Sequence, residues 1–342
     1  MDQKLQNKID KRIKEGTLRS LSSFEGMIDF VSNDYLGLRN ISFNSDSKKS
    51  STGSRLISGN NAKIEESESE IAGFFGWQSG LCFNSGYDAN LGVFSSIPQK
   101  GDVVIYDEHI HASIRDGVRL SNAKSYSFKH NDVEDLERLL LKFPKETIYI
   151  AVEGVYSMHG DLSPLKEIVA LVDNQRVFLI VDEAHSCGVI GSNGRGLTFE
   201  LALDDKVYIK LVTFGKAYGG HGACVLTDDS TKQYLINFSR SFIYTTALPT
   251  SSYSYMAEVI RWKEMENTRK TLIRKIDFFR SLISEDLLIS DARSAIQVIR
   301  FGDVTQLHKL EKKYRTINIA VKVVLPPTVQ IGAECIRVCL HA

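Results

Sequence analysis

The sequence lacks the marks of a secreted, membrane-bound or nucleic-acid-binding chain. It has no surplus of charge, since Lys+Arg and Asp+Glu are both 42 in 342 residues. A balanced surface argues against nucleic acid or an anionic membrane as the main partner. No apolar run approaches the roughly 20 residues that a membrane span requires. The first 16 residues are charged throughout and lack the apolar centre of a signal peptide. The five cysteines, Cys82, Cys187, Cys224, Cys335 and Cys339, form no C-x-x-C pair, and their odd number makes a poor disulfide framework. They read as reduced thiols of a cytoplasmic protein, and no metal site is assigned. Internal repeats and low-complexity segments are also missing.

What is present is enough apolar material for a large core. Hydrophobic residues make up 43% and charged residues 25%, which disfavours disorder. The length suits two domains, or one large domain with a smaller appendage. Leu5, Ile9 and Ile13 recur every four residues and predict a short amphipathic helix. Met27 to Val31 predicts a strand, and residues 40–53, rich in Ser, Asn and Lys, a loop. From about residue 60, apolar strand candidates (Leu81–Phe83, Val103–Tyr106, Ile148–Val152, Val177–Val181, Val207–Val212) alternate with amphipathic helix patterns. Such alternation predicts an α/β fold with a mostly parallel sheet flanked by helices. Past about residue 235 the texture changes to one long helix from Ser254 to roughly Ser284, then short strands at Ala295–Ile299 and Ile336–Val338. The expected division is an N-terminal segment, 1–40, a large cofactor-binding α/β domain, 41–235, and a smaller α+β domain, 236–342.

Ligands of parallel sheets sit outside the carboxyl ends of the strands, and the chemically suggestive residues fall there. Lys216 follows the Val207–Val212 run and precedes Gly219 and Gly220. A desolvated lysine has a lowered pKa and attacks carbonyls. Asp182 ends an apolar strand, and His185 follows it. A lysine amine and a carboxylate so placed suit pyridoxal 5′-phosphate (PLP), which needs a Schiff-base lysine and an acid partner for its pyridine nitrogen. Read alone, Asp182 and His185 also suit a core pair that satisfy one another. Thr213 could donate its hydroxyl to a phosphate. Gly86, in the strand-to-helix turn Asn84-Ser85-Gly86-Tyr87, permits close approach to helix-start amides that bind phosphate. His111 follows the Val103–Tyr106 strand and could stack on a cofactor ring. Ser157 could bond the ring oxygen or His111. Arg337 could hold a substrate carboxylate in a bidentate pair, or be a surface arginine on an edge strand.

From about Phe30 onward the chain resembles the α-oxoamine synthases, PLP enzymes of aminotransferase fold type I. The segments that carry the resemblance include Ser32-Asn33-Asp34-Tyr35-Leu36-Gly37-Leu38, Gly53-Ser54-Arg55, Asn84-Ser85-Gly86-Tyr87, His111-Ala112-Ser113, His130-Asn131-Asp132, Asp182-Glu183-Ala184-His185, Val212–Lys216, Tyr244-Thr245-Thr246 and Pro326-Pro327-Thr328-Val329. The resemblance implies that Lys216 carries PLP, that Asp182 pairs with its ring nitrogen and that His111 stacks on the ring. His185 and Ser157 would contact the ring oxygen, and Gly86, Tyr87 and Thr213 the phosphate. Thr245 or Thr246 would reach in from a second subunit of a homodimer. Arg337 would take the amino-acid carboxylate, with Asn33, Thr328 and Arg19 lining the substrate site.

The implied reaction joins an amino acid to an acyl-CoA or acyl-carrier protein with loss of CO2. Lys216 would remove the α-proton and His111 polarise the thioester carbonyl. The runs around Thr245 and Thr328 resemble the branch that uses L-alanine and a pimeloyl thioester in biotin synthesis. Glycine or serine donors are the alternative, with transamination next and a non-catalytic subunit opposed by the presence of Lys216. The chain departs from the family in three places. His159 stands where an acidic residue is usual. The segment after Leu38 is short, which alters the entry to the substrate channel. The chain stops at Ala342, where the family usually continues into a final helix.

Overall fold

Strands buried on both faces must be apolar on both faces, and that requirement organises this molecule. In Val177–Val181, the side chains of Val177, Leu179 and Val181 join one hydrophobic cluster, while Phe178 and Ile180 join a second on the opposite face. The period-two alternation of a strand thus feeds two cores from one continuous run. The computed structural model describes residues 2–342 apart from 16, 19–20, 44–49, 173–175, 302–303, 326–328 and 330–331.

In chain order the first elements are α1 (Gln3–Lys14), β1 (Ile28–Asp29), α2 (Ala62–Phe75), β2 (Ser79–Phe83), α3 (Gly86–Ser96), β3 (Val103–Asp107), α4 (Ala112–Leu120), β4 (Lys124–Phe128), α5 (Val133–Leu140), β5 (Ile148–Glu153), α6 (Leu165–Ala170) and β6 (Val177–Asp182). The chain continues with α7 (Leu197–Glu200), β7 (Ile209–Thr213), β8 (Ala223–Thr227), α8 (Asp229–Phe238), α9 (Arg240–Ile243), α10 (Thr250–Val259), α11 (Met265–Ser281), β9 (Ile296–Arg300), α12 (Val304–Thr316), β10 (Ile319–Ala320), β11 (Lys322–Val324) and β12 (Cys335–Cys339).

Among the described residues, seven strands form one sheet in the order β2-β8-β7-β6-β5-β3-β4. Only β8 runs antiparallel to its neighbours, β2 and β7. The parallel run from β7 to β4 therefore brings its strand ends to one edge. Glu153 pairs with Asp182 in register there, and Asp107 and Thr213 end β3 and β7. Further along the chain, β11, β12 and β9 make a three-stranded antiparallel sheet. The fold is α/β, with a mostly parallel sheet between helices and a smaller antiparallel sheet beside it. Short parallel pairing of β1 with β10 ties the N-terminal segment to this smaller part.

The structure differs from the sequence reading at several elements, the buried strand β8 among them. The long helix expected from Ser254 to Ser284 is two helices, α10 and α11, broken at residues 260–264. Trp262 and Met265 there make tight-turn bonds to Val259 and Trp262 carbonyls, and no glycine or proline marks the break. The strand β4 was missed because it is a sheet edge, with only Phe128 buried in Lys-Ser-Tyr-Ser-Phe. The N-terminal helix forms as expected, yet Leu5 and Ile13 are 52% and 56% exposed.

Candidate active site

Four strand ends and one helix start converge on a single cavity. The Ser79–Phe83 strand delivers the turn Asn84-Ser85, and Ser85 caps α3 by accepting from the Asp88 amide at 3.1 Å. The amides of Gly86 and Tyr87 lie in the first turn, where a helix leaves N–H groups without intrahelical partners. A side chain at position 86 would not fit, since a Cβ would stand 2.6 Å from Thr213 Cγ2. The cavity holds about 280 Å³ and is lined by Gly86, Tyr87, Asn90, His111, Glu153, Asp182, His185, Thr213, Lys216 and His221, among others.

Lys216 sits in the Phe214–Gly222 turn that links β7 to β8, closed by the Phe214 amide on the Gly222 carbonyl at 2.9 Å. Its Nζ lies 2.7 Å from His185 Nε2. Burial lowers the Lys216 pKa, against the opposing pull of Asp182 and Glu153. Burial, then the cations of Lys216 and Arg337, hold His185 well below its ordinary value, so its imidazole is neutral. On its other side, His185 Nδ1 is 2.7 Å from the hydroxyl of buried Tyr35. That hydroxyl donates to Asn33 Oδ1 at 3.1 Å, which also accepts from Arg337 Nη2 at 3.0 Å. With the Tyr35 proton committed to Asn33, its oxygen accepts from His185 Nδ1–H. The lone pair of His185 then lies on Nε2 and faces Lys216.

Asp182 and His185 do not satisfy one another. Asp182 accepts from Asn90 Nδ2 at 2.7 Å and from the Ala184 amide at 2.9 Å. Asn90 also donates to Ser113 Oγ at 3.1 Å. His111 caps α4, and its Nδ1 meets the Ser113 amide at 3.2 Å and the Ser113 hydroxyl at 2.7 Å. Nδ1 therefore accepts, and Nε2 carries the proton. Burial lowers the His111 pKa despite Asp182. Glu153 is pushed up to about 8 by burial and then by the Asp182 charge. Buried carboxylates this close do not ionise together easily.

Gly86, Tyr87, His111, Asp182, His185, Thr213 and Lys216 all border this one cavity. Ser157 does not; its carbonyl instead accepts from Arg337 Nε at 2.8 Å. Arg337 is 9% exposed on the central strand of the small sheet, not on an edge. Asn33 reaches the cavity only through Tyr35 and His185. Thr245 and Thr246 sit beside Asn84 of the same chain, whose Nδ2 donates to them at 3.0 and 2.9 Å. Arg19 and Thr328 lie outside the described residues. Sequence reasoning missed Asn90, Glu153 and His221. Glu153 had a signal, because it follows Ile148–Val152 just as Asp182 follows Val177–Val181.

The aminotransferase class I and II family matches residues 25–342. The chain is 41% identical over 319 residues to the 8-amino-7-oxononanoate synthase of Emericella nidulans, covering 85% of this chain and 76% of that one. It belongs to the α-oxoamine synthases. A Lysinibacillus sphaericus relative of the same name is 35% identical over 327 residues, covering 92% of this chain and 83% of that one. Among solved structures, the Francisella tularensis 8-amino-7-oxononanoate synthase is 33% identical with a TM-score of 0.77, covering 93% and 92% of the two chains. Serine palmitoyltransferase of Sphingomonas wittichii overlays with a TM-score of 0.86 at 28% identity, covering 99% and 92%. This α-oxoamine synthase has PLP fold type I and is a PLP-dependent C-acyltransferase.

The residues present fit that cofactor. Thr213 Oγ1, Asn90 Oδ1 and Glu153 Oε1 are buried with no protein partner, as expected of groups that serve a ligand. The half-buried Lys216 amine, a carboxylate and first-turn amides share the walls of one cavity with them.

Proposed function

We propose that this α-oxoamine synthase joins L-alanine to a pimeloyl thioester, on CoA or a carrier protein, giving 8-amino-7-oxononanoate for biotin synthesis. The observation that carries the reading is the half-buried Lys216 amine, hydrogen-bonded to a neutral His185 in a cavity shared with Asp182. The names of the relatives support the substrate pair. In the net reaction the alanine Cα bonds to the acyl carbon and the C–S bond breaks. The thiol and CO2 leave, and a proton takes the place of the carboxylate.

Bound PLP supplies an electron sink for the pair left at Cα when its proton departs. Lys216 would hold the cofactor, and its Nζ would take the α-proton, a task suited to an amine whose pKa burial has lowered. Asp182, kept in place by Asn90 and the Ala184 amide, partners the ring nitrogen. His111, on the cavity wall, would stack on the ring and offer Nε2–H to the acyl carbonyl. His185 would meet the ring oxygen through Nε2, while Ser157 stands back from the cavity and holds Arg337 through its carbonyl. The Gly86 and Tyr87 amides and the Thr213 hydroxyl take the phosphate. Arg337 spends three N–H groups on Ser157, Cys339 and Asn33. Two of the five guanidinium donors remain for the amino-acid carboxylate. Asn33 belongs to the same substrate region, to which the resemblance also assigns Arg19 and Thr328, and Thr245 or Thr246 would complete the phosphate site of a second copy in a homodimer.

The test is thiol release from pimeloyl-CoA by the PLP-loaded protein with alanine, glycine or serine. Release with alanine is expected. The better overlay with serine palmitoyltransferase favours serine as the second reading, and release with serine alone would move the assignment there. No release with any of the three would overturn the proposed reaction.

A further inference from the structure

A second constellation stands at the same sheet edge, on loops after β3, β4 and β5, outside the residues given a role above. We propose that His109, His130, His159 and Asp161 form a binding site for one divalent transition-metal ion of the zinc class. The three histidines lie far apart in the chain, and parallel pairing of β4, β3 and β5 brings their loops together. One ligand nitrogen from each lies within 4.8 Å of the others. The rings of His109 and His130 stack at 4.1 Å between centroids, and His159 is 5.0 Å from His109. A tetrahedral ion with bonds of roughly 2.0–2.1 Å needs nitrogens about 3.4 Å apart, so the rings close in by about an ångström.

The surroundings have the form of an outer ligand shell. His130 Nδ1 is 2.9 Å from Asp107 Oδ1. Buried Asp107 is itself fixed by the amides of His109 and Asn131, at 2.7 and 2.9 Å. A carboxylate on the far nitrogen of a histidine is what orients a metal-bound imidazole. The near nitrogen, His130 Nε2, is 2.6 Å from Asp161 Oδ2. The ion takes the place of the proton shared there, and Asn131 Nδ2 steadies the same oxygen at 2.8 Å. His109 Nδ1 and Asp161 Oδ1 are buried without any partner. Two orphaned polar atoms in one cluster require an explanation, and an ion that draws in the His109 ring and the Asp161 carboxylate gives one. A cavity of about 310 Å³ opens onto the cluster and is lined as well by Ile289, Arg300, Ala333 and Cys335.

Three nitrogens are already gathered, and Asp161, whose Oδ2 is 2.6 Å from His130 Nε2, closes the fourth position as the loops draw in, which makes the ion structural. It would fix the loop whose Ser157 carbonyl holds Arg337. The test uses the untagged, PLP-loaded chain, stripped with chelator and titrated with Zn²⁺ by calorimetry and with Co²⁺ by visible absorption. The account expects one ion per chain, tetrahedral Co²⁺ bands and a thermal midpoint raised by a few degrees. His109→Gln and His159→Gln should each weaken Zn²⁺ by roughly a hundredfold while keeping the chelated wild-type midpoint. Uptake that is equal in wild type and a His109→Gln/His159→Gln double variant would overturn the site, as would no uptake at all.

Discussion

Tyr35→Phe isolates the hydrogen-bond chain that runs from Lys216 through His185 and Asn33 to Arg337. Tyr35 is fully buried, and the change removes one oxygen while keeping the ring, so no large cavity opens. Asn33 Oδ1 keeps its bond from Arg337 Nη2. His185 Nδ1–H loses its acceptor at 2.7 Å and has no replacement among its described partners. Leaving a buried donor unpaired costs about 1–3 kcal/mol. The urea midpoint should fall accordingly. An interaction of that size shifts an equilibrium by roughly 5–150-fold, so PLP affinity should fall within that range if His185 must present Nε2 as an acceptor. Nitrogen-15 NMR of the imidazole reads the tautomer directly. The wild type should show Nδ1 protonated and Nε2 bare, and the variant a mixture. A wild-type His185 protonated at Nε2, or a variant unchanged in midpoint and in PLP affinity, would refute the reasoning.

Three further expectations follow from other parts of the molecule. Burial and the charges of Lys216 and Arg337 depress the His185 pKa, so below about pH 6.5 the unfolded chain binds a proton here that the folded chain refuses. Stability should therefore drop as pH falls through that value, by up to about 1.4 kcal/mol per unit, and urea midpoints between pH 7 and 5.5 should fall more steeply for wild type than for His185→Asn; equal slopes would contradict this. Glu68→Gln breaks a buried bidentate pair with Arg55, at 2.7 and 3.2 Å, and should cost about 3–5 kcal/mol in urea unfolding; a loss under about 1 kcal/mol would show that the pair is not desolvated. Gly86→Ala drives a methyl group to 2.6 Å from Thr213 Cγ2 and should weaken PLP binding with an unchanged circular dichroism spectrum; wild-type affinity would remove Gly86 and Thr213 from the phosphate site.

Much of this is legible in the sequence. Apolar runs that end in a polar residue announced β5, β6 and β7, because strands buried on both faces tolerate such residues only at their ends. That pattern led to Asp182, Thr213 and Lys216. The same pattern at Glu153 went unread, though it stands in register with Asp182. Asn90 was not legible, since one turn of helix α3 separates it from Gly86 and its partners come from distant loops. Tyr35 was visible only as part of a motif, because its role depends on contact with a residue 150 positions away. The break between α10 and α11 and the polar edge strand β4 escaped for a common reason: neither carries a local signal that departs from helix or loop.

The central claim is that Lys216 Nζ carries the cofactor in the cavity bounded by α3, β6 and β7. Borohydride reduction of the PLP-loaded protein, followed by digestion and mass spectrometry, tests it most directly. The account predicts one reduced pyridoxyl adduct, on the peptide containing Lys216, and none in Lys216→Ala. An adduct on a different lysine, or no adduct in protein that has taken up PLP, would contradict it.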